Sequence, residues 1–214
     1  VGRFNSANAG CIKKSWISNE EGEDFVMDNI IILKISSDKK IVISLPCEVL
    51  DLHRYSEIDI YFQSTKLSNN IVLYKSDFAI EGIRTLKTIL EKAIKNKLEI
   101  HYSLKEKGIG YLCNEYFQDK TYLTMVKKNG NTFWVGLKYS LWSSKKYETW
   151  VYNENNKVVL EITPTYSNEN DNEEEYVKFL NSYCTTAIEI IEKEVALQWI
   201  EKCNELLKIM EKND

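Results

Sequence analysis

Proline and glycine are scarce in this chain, at two and eight of 214 residues. That scarcity argues against a loop-dominated scaffold, because these residues make most sharp turns. No run of about 18 apolar residues occurs, so the sequence offers no helix able to span a bilayer. Val1 to Ser15 also lack the uninterrupted apolar stretch of a signal peptide. The first residue is Val1 and not Met, which leaves room for a segment removed before it.

The familiar chemical signatures are missing as well. The chain contains no GxGxxG before a helix, no Walker phosphate loop, no HExxH and no GxSxG elbow. Gly108-Ile109-Gly110 is only a GxG, and it precedes an apolar segment read as a strand. Two histidines, His53 and His101, are too few and too separated for a zinc site. Cys11, Cys47, Cys113, Cys184 and Cys203 are odd in number, and no two of them form CxxC. Such cysteines read as reduced thiols in a cytoplasmic protein, and neither metal nor cofactor is expected.

What is present is ordinary globular material. Apolar residues make up 43 % and charged residues 28 %, enough to build a core. Thirteen tyrosines and five tryptophans suit sheet faces, where a ring packs and its polar tip reaches water. The formal charge of −4 is unevenly spread. Residues 1–96 balance at 13 basic and 13 acidic, residues 97–164 carry 10 against 7, and residues 165–214 carry 5 against 12. The acid excess therefore belongs to the C-terminal region, a surface that repels nucleic acid and attracts basic partners.

The element pattern begins with strands. Asp28–Ile35 and Lys40–Leu45 are β-branched runs joined by Ser36-Ser37-Asp38-Lys39, and Glu57–Gln63 and Asn70–Tyr74 follow. The period then changes: Ala79, Ile83, Leu86, Leu90 and Ala93 mark a helix over Asp77–Asn96, with Ser76 as its expected N-cap. Strands are expected again at Leu98–Leu104 and Ile109–Cys113. Two hairpins are expected next: Thr121–Lys128 with Thr132–Ser140 around Asn129-Gly130, and Tyr147–Tyr152 with Lys157–Thr163 around residues 153–156. A polar leader, Ser167–Glu175, precedes a helix over Tyr176–Met210 striped by Ile188, Ile191, Val195, Trp199, Leu206 and Met210. Asn181-Ser182 and Thr185-Thr186 are weak helix formers and predict a break or kink near them.

The fold class is therefore α+β: mainly antiparallel sheet, one central helix and a long, kinked C-terminal helix. It is read as one domain over 1–214, with sub-halves 1–96 and 97–214. Two arrangements fit the order. In one, each half contributes a sheet and a helix. In the other, one curved sheet wraps the C-terminal helix. That second order is loosely similar to helix-grip folds over residues 70–212, with one helix where such folds have two.

His101 and Cys113 would lie on consecutive strands, where a histidine can activate a thiol, or simply be a half-buried histidine beside a core cysteine. His53 reads as a loop residue. Asp77 and Glu81 stand at i, i+4, and Glu173, Glu174 and Glu175 cluster at a helix start, where negative charge favours the dipole. No residue is assigned a catalytic role.

The aromatics are more informative. Phe133, Trp134, Tyr139, Trp142, Tyr147, Trp150 and Tyr152 gather around Lys138, Lys145 and Lys146. Such strands can stack nucleic-acid bases, form an ordinary sheet face with snorkelling lysines, or bind protein. The acidic C-terminal region and the missing RNA-binding signatures put nucleic acid last. The expected binding residues are Trp134, Trp142, Tyr147, Trp150, Glu173, Glu174 and Glu175. They point to a non-enzymatic domain whose partner is a basic protein, in the manner of a bacterial immunity or antitoxin protein. The alternative is a carrier of a small hydrophobic ligand, held between a curved sheet and the C-terminal helix. Nothing in the sequence sets the oligomeric state.

Overall fold

The computed structural model describes residues 15–18, 24–27, 29–115, 124–126, 132–166 and 172–213. A short antiparallel pair, β1 (Ser15–Ser18) and β2 (Asp24–Met27), comes first. The first large sheet follows from β3 (Ile30–Lys34), β4 (Lys39–Ser44), β5 (Glu57–Ser64) and β6 (Ile71–Phe78), antiparallel in that order. Register lines up one cross-strand row of Leu33, Ile41, Phe62 and Ile71, and another of Ile31, Ile43 and Ile60. All seven are buried. Alternation sets the core face cleanly on β3, whereas the central strands bury Val42 and Tyr61 on the opposite face as well.

Asp59 steadies an irregular stretch of this sheet, where the β5–β6 register shifts on either side of Ile60. Its carboxylate accepts the Ser76 N–H at 2.7 Å and the Tyr61 hydroxyl at 2.8 Å. Ser76 itself has φ of 51° and lies within β6, so it does not cap the helix as the sequence suggested. Helix α1 (Ala79–Ala93) starts later, and loop carbonyls of Ser56 and Arg54 accept the N–H groups of Ala79 and Ile80. Asn96 closes the other end in a left-handed conformation (φ 51°). Its N–H donates to Ala93 and that of Lys97 donates to Lys92, a Schellman-type ending.

Residues 98–115 depart from the expected strands. Only a bridge remains: Ile100 N–H donates to the Asn153 carbonyl and Asn153 N–H to that of Leu98. Two short helices follow, α2 (Tyr102–Lys105) and α3 (Ile109–Glu115). The reason is periodicity. Leu98 and Ile100 alternate for three residues, after which the buried Leu104, Ile109 and Leu112 no longer do. Gly108 turns between the helices at φ of 85°. Gly110 lets α3 approach the second sheet, because a Cβ there would lie 2.5 Å from the Thr163 side chain.

Strands β7 (Thr124–Val126) and β8 (Thr132–Trp134) pair as the Asn129-Gly130 hairpin predicts, although that turn lies outside the described residues. Val135, Leu137 and Lys138, expected on a strand, belong to a one-turn helix, α4 (Val135–Tyr139). The second large sheet then forms from β9 (Ser140–Ser143), β10 (Tyr147–Glu154) and β11 (Lys157–Pro164). Asn155 and Asn156, both at positive φ, close the β10–β11 hairpin.

The expected long helix divides into three. The break falls where the weak helix formers predict it, after α5 (Glu173–Asn181). A strand follows, β12 (Ala187–Ile191), and then helix α6 (Lys193–Lys212). Ile188 and Ile191 are therefore strand residues, because this β-branched run gains more from pairing with β11 than from helix. The sheet order is β12-β11-β10-β9.

Each large sheet thus has four antiparallel strands whose last strand leads into an amphipathic helix, with α5 inserted between β11 and β12 in the second. Two sheets stand where the helix-grip order has one. Each helix is also pinned to the other half. The Trp142 indole N–H on β9 donates to the Gly82 carbonyl of α1 at 3.1 Å, and Asn153 on β10 donates to Ala93 at 2.9 Å. Trp199 of α6 donates to the Lys34 carbonyl at 3.2 Å, and Asn213 donates to Leu50 and Leu52. Between these pins α1 packs on α6, and Leu86, Leu90, Leu206 and Met210 join one core that includes residues of both sheets.

Candidate protein-interaction surface

Two of the most exposed large apolar side chains, Leu137 and Tyr102, lie on α4 and α2, beside β8. A tight polar knot joins these elements. The Tyr139 hydroxyl donates to the Glu99 carbonyl at 2.7 Å and accepts the His101 N–H at 3.2 Å. The Lys138 ammonium donates to the same carbonyl at 3.1 Å and to the Tyr139 oxygen at 2.8 Å. It also lies 4.4 Å from the Phe133 ring centroid and 4.6 Å from that of Tyr139, cation–π contacts on both faces. Burial pushes the Tyr139 phenol up to about 12, with the Glu99 carboxylate adding to the effect.

Rings extend from this knot. Phe133 meets Tyr139 edge-on at 6.0 Å and His101 at 6.3 Å, and His101 lies 4.4 Å from Tyr102. His101 is fixed by its own turn, where it caps α2 and shares a 2.7 Å hydrogen bond with Ser103. On the elements that carry this knot, Tyr102 of α2 is 78 % exposed, Leu137 of α4 is 84 % exposed and Trp134 of β8 is 45 % exposed.

The other expected aromatics are placed differently. Trp142 and Trp150 are 2 % and 3 % exposed, so both are core residues with no face for a partner. Each indole N–H is satisfied inside, Trp142 on Gly82 and Trp150 on the Thr163 hydroxyl at 2.9 Å. Tyr147 is half-buried against the core, in a turn where Ser144 N–H donates to its carbonyl at 2.8 Å. Tyr152 is buried and donates to Glu161. Of the tryptophans and tyrosine expected to bind, Trp134 alone belongs to the exposed patch.

Glu173, Glu174 and Glu175 are exposed on the first turn of α5, as the helix-start reading requires. Asn172 caps them, its side-chain oxygen accepting the N–H groups of Glu174 and Glu175. Tyr176 anchors this helix by donating to the carbonyls of Asn114 and Glu115 on α3. Since α3 packs on α2, the aromatic patch and the acidic turn belong to one run of contacting helices, α2–α3–α5.

A feature not anticipated from the sequence lies under α3. Glu148 and Glu161 project from β10 and β11 into the covered face of the second sheet. Glu161 accepts the Tyr152 hydroxyl at 2.7 Å and that of Thr185 at 3.4 Å. Glu148 is held by the hydroxyls of Ser140 and Ser143. Burial pushes both carboxyls above their usual range, and the hydroxyl donors only partly oppose it. The signal was available: Glu161 interrupts the apolar run Val158–Ile162 in an otherwise unbroken strand.

The histidine–cysteine pair is not built as expected. His101 caps α2, whereas Cys113 sits on α3, and burial together with the Glu148 charge pushes its thiol up to about 12. A nucleophilic thiolate needs the opposite shift. His53 is exposed in a loop, as expected. Asp77 lies within β6 and so does not share a helix face with Glu81, which pairs with Arg84 at 3.9 Å. Cys47, Cys113, Cys184 and Cys203 are free thiols, and Cys11 lies outside the described residues. Among the described residues no three metal-ligating side chains converge, and no helix is long and apolar enough to cross a membrane. Comparison with protein-family models, curated proteins and solved structures gives no match.

Proposed function

We propose that the chain is a non-enzymatic protein-binding domain that recognises its partner with Tyr102, Trp134 and Leu137. The observation supporting this reading is that Tyr102, Trp134 and Leu137 are exposed on α2, β8 and α4, the elements joined by the Phe133–Lys138–Tyr139 knot. Burying them in a partner would release about 1.5–3 kcal/mol for each fully covered side chain, against about 0.5–1.5 kcal/mol for ordering it. Glu173, Glu174 and Glu175 supply charge on the same run of helices and favour a basic partner by steering its approach. An immunity or antitoxin protein, which works by covering a basic toxin, is one concrete form.

The test is capture from native lysate by three proteins: wild type, Tyr102→Ser/Leu137→Ser, and Glu173→Gln/Glu174→Gln/Glu175→Gln. Both substituted sets are exposed, so the fold is retained. Wild type is expected to hold a stoichiometric basic protein, the aromatic variant to lose it, and the glutamine variant to hold it more weakly at low salt. A partner held equally well by the aromatic variant contradicts the reading.

A further inference from the structure

We propose that β12 is a homodimerisation edge, pairing antiparallel with β12 of a second copy about a two-fold axis at Glu189. Among the described residues, β12 stands at the end of the order β12-β11-β10-β9, and its outer side pairs with no strand. Proteins normally defend such an edge with proline, a bulge, or a charge turned inward. The segment Ala187-Ile188-Glu189-Ile190-Ile191 has no proline, and it pairs with β11 over all five residues without a shift. Its one charge does turn inward, but that defence is cancelled. Lys39 reaches across from β4 and pairs with Glu189 at 2.8 Å, leaving the edge without net charge. The opposite end of the sheet differs, since the β9–β10 register shifts and Ser144 beside it donates to the Val72 carbonyl of β6.

The exposed face of β12 matches itself. Ile188 is 58 % exposed and Ile190 is 45 % exposed, one on each side of Glu189. A two-fold axis at Glu189 sets each Ile188 against the second copy's Ile190, giving two β-branched cross-strand pairs. On the other face Ile191 is 2 % exposed and stays in its own core, so the match between copies rests on the Ile188–Ile190 pairs. The two Glu189 carboxylates approach at the axis, each still neutralised by its own Lys39. Self-complementarity of this kind is what an isologous dimer requires. The product is a continuous eight-stranded sheet. A foreign strand would gain the same backbone hydrogen bonds, but the palindrome Ile188-Glu189-Ile190 favours a second copy.

The experiment is the solution mass of the full chain by sedimentation equilibrium from low to high micromolar concentration. Wild type is expected at twice the chain mass, and Ile188→Lys/Ile190→Lys at the monomer mass with unchanged far-ultraviolet circular dichroism. Ile190→Thr, which keeps a β-branched side chain in a strand, is expected to fold and to weaken the dimer severalfold. Tyr102→Ser/Leu137→Ser is expected to stay dimeric, which separates this surface from the aromatic patch. A wild type that is monomeric throughout overturns the proposal, and is what an edge reserved for another protein's strand would give. Dimers unchanged by either isoleucine variant overturn it equally.

Discussion

Trp142 and Gly82 meet at 3.1 Å, indole N–H to carbonyl, and this contact ties the first helix to the second sheet. Trp142 is 2 % exposed, so its ring and its hydrogen bond both contribute to joining the halves. Trp142→Phe keeps most of the ring and deletes the donor. It is expected to cost about 1 kcal/mol, while Trp142→Ala costs about 3–5 kcal/mol through the cavity it leaves. Urea unfolding reads both as shifts of the midpoint at constant slope. A phenylalanine variant as stable as wild type would mean that the bond contributes nothing net.

Glu148 and Glu161 give stability a particular pH dependence. Burial raises both carboxyls in the folded state, and hydroxyls supply their hydrogen bonds. The folded protein therefore binds protons that the unfolded chain has lost. The contribution is fully present below the unfolded glutamate value of about 4.3 and is lost as pH rises through the higher folded values. Glu161→Gln cannot ionise. It is expected to gain stability relative to wild type as pH rises above that point, and to lose the advantage at lower pH. Denaturant midpoints across pH 4–8 give the comparison, and a difference that stays constant with pH would show that Glu161 is not the group involved.

The thiols should react in an order set by burial. Cys184 is exposed, Cys47 and Cys113 are half-buried, and Cys203 is buried. Burial pushes Cys113 and Cys203 up to about 12, so little thiolate forms on either at neutral pH, and Cys203 is also closed to reagents. Labelling with a maleimide under native conditions is expected to modify Cys184 first and to spare Cys113 and Cys203 until the chain unfolds. Rapid native labelling of Cys113 would be evidence for an activated thiol and would reopen the enzymatic reading. Peptide mass spectrometry resolves the sites.

Legibility in the sequence tracked the reach of the interactions involved. The β3–β4 hairpin, β5, α1 and the β10–β11 hairpin follow from local period and turn chemistry, and all are present. Ala187–Ile191 was missed because Ile188 and Ile191 also fit a helical stripe, and pairing with a strand 25 or more residues away decided the matter. Leu98–Cys113 was missed for the converse reason, since a short apolar run with Gly108 and Gly110 suits either strand or short helix. The aromatic group was read as one surface. Which rings face out depended on Gly82 and Thr163 satisfying two tryptophans from inside, which spacing along the chain does not reveal.

The decisive measurement is partner capture by the Tyr102→Ser/Leu137→Ser variant, compared with wild type from the same lysate. Loss of a stoichiometric basic partner, with thermal stability and secondary structure unchanged, is the predicted result. The same partner retained at the same yield would contradict the assignment of Tyr102, Trp134 and Leu137 as the binding surface.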